Sequence, residues 1–345
     1  MLSASGNTLQ NGPASVLAFR RDSRLTCKWT GWIGIPNDGT LFRKQLKVLA
    51  PAGTDRNIMS LSKVLASLIT ILASSALLAI AGSQGSVEVA GLPLYALCAG
   101  VGFVLHWLAF VPAYLFQTER YFDLIGGVSF LGTVALAAVL HPDMSMRGWL
   151  LCLLVAIWAA RLGIFLFRRI HKSGGDSRFD DMKSKFWRFL LAWTLAGAWV
   201  FITLAAALSA ITRADHSPVG IFAVVGTAVW LIGFVLEVVA DYQKSLFRAD
   251  PKNADKFIAS GLWAYSRHPN YFGEIVLWTG VAIIVLPVLQ GWQWLTLVSP
   301  VFVALLLTRV SGVPMLEASA RKRWGGDPEY QHYVEQTPVL IPRPV

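Results

Sequence analysis

The sequence predicts an all-α fold, a polytopic transmembrane bundle of about eight spans within a range of seven to ten. Three observations carry this. The 345 residues are 55% hydrophobic and only 14% charged, where a soluble domain carries about 25% charged residues. Mean hydropathy is +0.54. Apolar runs near the roughly 20 residues a bilayer requires recur at about 61–81, 92–116, 122–140, 147–170, 186–209, 219–240, 271–287 and 292–310. The seventh run is short and reads as tilted, or as beginning earlier at Pro269.

Residues 1–58 stand apart. They hold no run of spanning length, and Arg20, Arg21, Arg24, Lys28, Arg43, Lys44, Lys47 and Arg56 outnumber Asp22, Asp38 and Asp55. A basic, acid-poor extension fits a mitochondrial or plastid transit peptide or a basic cytosolic tail. No apolar core follows the first basic residues, which argues against a secretory signal. Residues 59–345 read as a single membrane-embedded domain.

Charge tests the layout. With eight spans, Arg120, Lys172, Arg178, Lys183, Lys185, Lys244, Arg248, Lys252, Lys256, Arg267, Arg321, Lys322 and Arg323 fall on one side, and Arg147 and Arg213 on the other. By the positive-inside rule the basic face is cytosolic, stromal or matrix. The formal charge of +10 is therefore topology, and nucleic acid is not an expected partner. The fourteen tryptophans suit a protein with rings at the headgroup level. Cys27, Cys98 and Cys152 are scattered, so neither a disulfide framework nor a metal site is expected.

The informative residues are polar groups in apolar runs, which are costly unless paired or wet. Arg161 lies inside the fourth run. Arg168 is seven residues on and shares its face; Arg169 follows. Such a ladder suits phosphate, or snorkelling at a helix end. The sixth run ends with Glu237, Asp241, Lys244 and Arg248, whose spacing sets acid, acid, base, base along one face. Carboxylates there take ribose hydroxyls or amide protons, and bases take phosphates; a salt-bridged helix end is the plainer alternative.

The densest polar string is Gly261-Leu-Trp-Ala-Tyr265-Ser-Arg267-His268-Pro269-Asn270-Tyr-Phe-Gly273-Glu274. Pro269 suits a first helical position, so the free N–H groups that follow form an anion site, flanked by Arg267 and His268. Glu274 is too deep for a surface residue. Arg309 ends the eighth run. Glu317, Tyr330 and Tyr333 lie on a polar C-terminal segment expected to cap the basic face.

These segments resemble the steroid 5α-reductase C-terminal superfamily, which also covers sterol-reductase and isoprenylcysteine-methyltransferase-type membrane enzymes. The resemblance covers roughly 120–342. Its signatures are Trp158…Arg161-Leu-Gly, Gly175-Asp176-Ser-Arg178-Phe179-Asp180, the run from Glu237 to Arg248, the string from Gly261 to Glu274, Ser311-Gly-Val-Pro314 and Glu317. It implies an NADPH site within the C-terminal helices, with Arg161, Asp241, Arg248, Tyr265, Asn270, Glu274 and Arg309 at cofactor-contacting positions. Asp241 and Asn270 match nucleotide or nicotinamide partners, and Arg248 and Arg309 match phosphate partners. Lys244, Arg267 and His268 complete the candidate cofactor set. Glu237 departs from the polar amide of the reductases, and Glu317 stands where steroid reductases carry tyrosine.

The reaction so implied is reduction of a carbon–carbon double bond in a lipophilic substrate held from the bilayer: a steroid, an isoprenoid or another lipid enone. It needs a proton donor near the delivered hydride. Glu119, Tyr121 and Asp123 are the catalytic candidates, since a Glu–Tyr pair serves the ketone in the resembled reductases. His106 is a further candidate, with a hydrogen-bonded bundle histidine as the alternative. Two rival functions remain. One is an S-adenosylmethionine-dependent methyltransferase of lipids or isoprenyl groups, since Arg-His-Pro-x-Tyr also opens its cofactor region. The other is a non-catalytic sterol- or lipid-binding membrane protein.

Overall fold

The computed structural model describes residues 60–173 and 179–343, with the side chains of 167–173 left aside. The proposed extension, the side chains of Arg168 and Arg169, and Gly175 to Arg178 lie outside the described residues.

Eight helical segments are long and apolar enough to cross a membrane. α1 (Leu61–Gly82) is 22 residues long, about 33 Å at 1.5 Å per residue, enough for a bilayer core. A two-stranded hairpin follows, β1 (Glu88–Val89) and β2 (Leu92–Pro93). Its turn residues Ala90 and Gly91 have φ of 53° and 78°, the positive values that tight hairpins require. α2 (Leu94–Leu115) ends just after Pro112. α3 (Phe122–Leu140) and α4 (Met146–Ser173) form the next pair.

α5 (Phe186–Ile211) is the central helix. Its most apolar stretch is 72% buried by other parts of the protein, against 22% for α1. The aromatic centre lies beside it: Trp158 meets Phe130 and Trp278 edge-on, each at 5.0 Å between ring centroids.

α6 (Ile221–Ala249) and α7 (Pro269–Val285) pack antiparallel along a seam of glycines. A Cβ on Gly273 would stand 2.6 Å from the Gly233 carbonyl oxygen and 2.7 Å from the Glu237 nitrogen. A Cβ on Gly280 would stand 2.6 Å from the Gly226 carbonyl. Small residues at this spacing let backbones touch, and they set the polar ends of α6 and α7 side by side. α7 does begin at Pro269, the earlier of the starting points considered for the seventh run.

The eighth span is irregular. A 3₁₀ stretch (Gly291–Leu297) leads into α8 (Val298–Leu305), then a π turn (Leu306–Val310). Beyond a break at Ser311-Gly312 come α9 (Val313–Trp324) and α10 (Pro328–Gln336), the latter capped by Asp327. The tail returns over the string before α7. The Arg267 amide donates to the Pro338 carbonyl at 2.9 Å, and the Ser266 hydroxyl to the Leu340 carbonyl at 2.8 Å. The polar C-terminal segment thus packs on the start of α7.

At the opposite end, two buried arginines tie the helices by backbone. Arg147 donates to the carbonyls of Ile284 (2.6 Å) and Pro218 (2.8 Å), and Arg213 to that of Val288 (2.6 Å). Cys98 and Cys152 are free, buried thiols.

Candidate active site

Three helices bring their unexpected polar residues to one place. Arg161 of α4 reaches α6, where its guanidinium pairs with Glu237 and with Asp241, the latter at 2.6 Å. Trp158, one turn earlier, donates its indole N–H to Glu237 Oε2 at 3.2 Å. From α7, Asn270 Nδ2 donates to Asp241 Oδ1 at 3.1 Å. Glu274 is buried one turn deeper and has no hydrogen-bond or ion-pair partner among the described residues. The i, i+4 spacings of Glu237/Asp241 and Asn270/Glu274 aim each pair from one helix face, and the Gly233–Gly273 contact holds the two faces together.

One guanidinium therefore pairs with two buried carboxylates, Glu237 and Asp241, with a third, Glu274, buried on the neighbouring helix. Arg161 is engaged by acids and not presented to an anion, in contrast to the phosphate ladder among the expectations. The cluster offers mainly acceptors. Sugar hydroxyls and an amide N–H are the groups that acceptors hold.

Cations lie outward. Lys244 sits 4.2 Å over the ring of Trp263, and Arg248 is exposed one turn further on. Arg309 is exposed on the π turn and has no hydrogen-bond or ion-pair partner among the described residues. Tyr265 is exposed as well. Arg267 and His268 behave differently from their neighbours. Both reach Glu317 of α9, Arg267 Nη1 to Oε2 at 2.7 Å and His268 Nε2 to Oε1 at 2.9 Å. Burial pushes His268 below the usual imidazole range, partly offset by the bond to Glu317. These two residues join α7 to α9 through Glu317.

Beside the acid cluster lies a small apolar cavity of about 40 Å³. α2, α3, α4 and α5 contribute its walls, among them His106, Asp123, Phe130, Trp158 and Trp199. Trp158 belongs to both: its ring lines the cavity while its N–H holds Glu237.

The three catalytic candidates separate here. Asp123 lines the cavity. Glu119 is buried and accepts from Lys183 at 3.1 Å; the bonds that the Lys183 ammonium donates to Asp180 and Glu119 hold it above its ordinary range. Tyr121 is 57% exposed, so the Glu119–Tyr121 pair does not converge on the cavity. Sequence reasoning missed Lys183 as the partner of Glu119, and Phe130 and Trp199 as cavity walls. Nothing in their local spacing distinguishes them from other apolar-run or loop residues. Among the described residues no acid or histidine cluster has the makings of a metal site.

Residues 109–337 match a family model described as a protein of unknown function, DUF1295. The chain is also similar to 3-oxo-5-alpha-steroid 4-dehydrogenase 1 of Rattus norvegicus, 30% identical over 118 residues, which is 34% of this chain and 40% of the relative. The Bos taurus enzyme of the same name is 35% identical over 69 residues, 20% of this chain and 26% of the relative. These matches span less than half the length of the curated relatives. No solved structure matches.

Proposed function

Because the chain belongs to the DUF1295 family, which is the steroid 5α-reductase-like family, we propose that it is an NADPH-dependent membrane reductase of a carbon–carbon double bond in a lipophilic substrate. The observation that carries the reading is the single wall, Trp158, between a buried acceptor cluster and an apolar cavity. A reductase of lipids needs those two environments in contact: one for a polar cofactor head, one for hydrocarbon.

The residues fit that cofactor. Asn270, with a donor and an acceptor, and the carboxylates of Asp241 and Glu274 suit a carboxamide and ribose hydroxyls. Arg248, Lys244 and Arg309 lie outward, where phosphates would be held. NADPH supplies hydride when bound. Arg161 fixes Glu237 and Asp241 in place, Asn270 orients the amide, and Trp158 and Phe130 exclude water from the cavity. Asp123 is placed to give a proton there. Glu119, Tyr265, Arg267 and His268 serve the reading as positioning groups. The basic face is proposed to front the cytosol, matrix or stroma.

The test is titration of NADPH, NADH and S-adenosylmethionine against the purified chain in detergent, with Asp241→Ala as control. NADPH binding lost in the variant supports the proposal. S-adenosylmethionine binding without NADPH binding overturns it in favour of a methyltransferase. Silence from all three leaves a lipid-binding protein.

A further inference from the structure

A groove apart from the proposed site opens at the basic face, between the first turns of α1 and α5, and encloses about 220 Å³. Leu61 and Val64 line it from α1, and Lys185, Phe186, Trp187 and Arg188 from the start of α5. Val64 belongs to an apolar cluster with Leu68 and Leu191, which gives the groove a hydrocarbon floor. Its rim is cationic. Lys185 is exposed and has no ion-pair partner among the described residues. Arg188, half-buried, is three residues on and shares its helix face. Neither the lining nor the first turn of α1 or α5 holds an acid. Phe186 and Trp187 are exposed beside the cations, as aromatic rings are where lipid headgroups meet a span.

We infer that this groove binds one anionic phospholipid from the leaflet at the basic face. Lys185 and Arg188 hold the phosphate, and an acyl chain runs inward over Leu61 and Val64. The groove is smaller than the roughly 300–1,000 Å³ of sites that enclose a whole small molecule, which suits a headgroup whose chains stay in the bilayer. Charge sets the lipid class. A zwitterionic headgroup brings its own ammonium, for which the groove has no carboxylate, whereas phosphatidylglycerol adds negative charge alone. The lipid so held bridges α1, the least buried of the spans among the described residues, to α5, the most buried. None of this depends on reduction or on a cofactor.

Native mass spectrometry of the full chain in detergent counts bound lipids as phosphatidylglycerol and phosphatidylcholine of one chain length are titrated. The expected result is one phosphatidylglycerol, preferred by about tenfold or more. Lys185→Gln combined with Arg188→Gln should erase that preference, weakening phosphatidylglycerol about fivefold for each cation removed. Lys252→Gln combined with Lys256→Gln takes the same charge from exposed positions of the basic face outside the groove and should keep the preference. Leu61→Trp retains both cations but fills the groove, and should weaken phosphatidylglycerol as well. Equal binding of the two lipids, no bound lipid, a preference lost to the same extent in the Lys252 and Lys256 variant, or wild-type binding by Leu61→Trp would each overturn the inference. Displacement of the lipid by an equal concentration of glycerol 3-phosphate would also overturn it, by showing a site for soluble phosphate.

Discussion

Arg161 of α4 and Asp241 of α6, eighty residues apart in sequence, are joined by a 2.6 Å ion pair, with side chains only 18% and 8% exposed. The same guanidinium holds Glu237. Removing one partner of a buried pair leaves uncompensated charge, at a cost of about 3–5 kcal/mol. Arg161→Ala should therefore lower the thermal midpoint in detergent sharply. Arg161→Lys, which keeps the charge but not the two-pronged geometry, should fall between. A midpoint within error of the wild type for Arg161→Ala would show that the pair does not hold α4 to α6.

The acid cluster depends on how closely α6 and α7 approach. Gly273→Ala sets a methyl 2.6 Å from the Gly233 carbonyl, against backbone that cannot step aside locally. Overpacking of this kind costs about 1–3 kcal/mol. It should also move Asn270 and Glu274 away from α6, so NADPH affinity should fall together with stability. Gly100→Ala is the control, since its Cβ meets nothing within 4 Å. Equal behaviour of the two variants in thermal melts would sink the argument.

Much of this architecture was legible in the sequence, because bilayer thickness fixes helix length. All eight apolar runs became the eight spanning segments, and the start of α7 at Pro269 follows from proline chemistry. The face shared by Glu237 and Asp241 was also readable, since helical period alone sets it. What crosses between helices was not. That Arg161 meets carboxylates, that Arg267 and His268 turn to Glu317, and that Lys183 holds Glu119 depend on packing over many residues. No local spacing encodes those partners.

Asn270 links the cluster to the start of α7 through one bond to Asp241. Loss of a neutral donor here costs about 1 kcal/mol, while Asp241 keeps Arg161. Asn270→Ala should thus leave the melt nearly unchanged and abolish NADPH binding. Unchanged NADPH affinity by calorimetry would remove Asn270 from the proposed cofactor site.

Arg309 has the opposite profile from Arg161. It is exposed on the π turn with no partner among the described residues, so Arg309→Ala should not destabilise the fold. If it reads the 2′-phosphate, the variant should weaken NADPH about tenfold or more and spare NADH. Equal weakening of both, in parallel titrations, would place Arg309 at the shared pyrophosphate.

His268 gives stability a pH dependence whose sign can be worked out. The groups facing it are Glu317, Arg267 and Lys244, with the Tyr271 ring stacked at 5.6 Å. Burial is the larger influence and holds its pKa below the ordinary value, so the unfolded chain binds this proton more readily than the folded one. Stability from this residue is then full above the unfolded value of about 6.5 and declines as pH falls from there toward the depressed folded value. Thermal midpoints in detergent at pH 7.5, 6.5 and 5.5 should decline more steeply for the wild type than for His268→Gln. The difference between the two curves isolates this residue from the buried carboxylates, which both proteins share. Parallel curves would mean that Glu317 fully offsets burial and that His268 binds its proton equally well in the folded and unfolded chain.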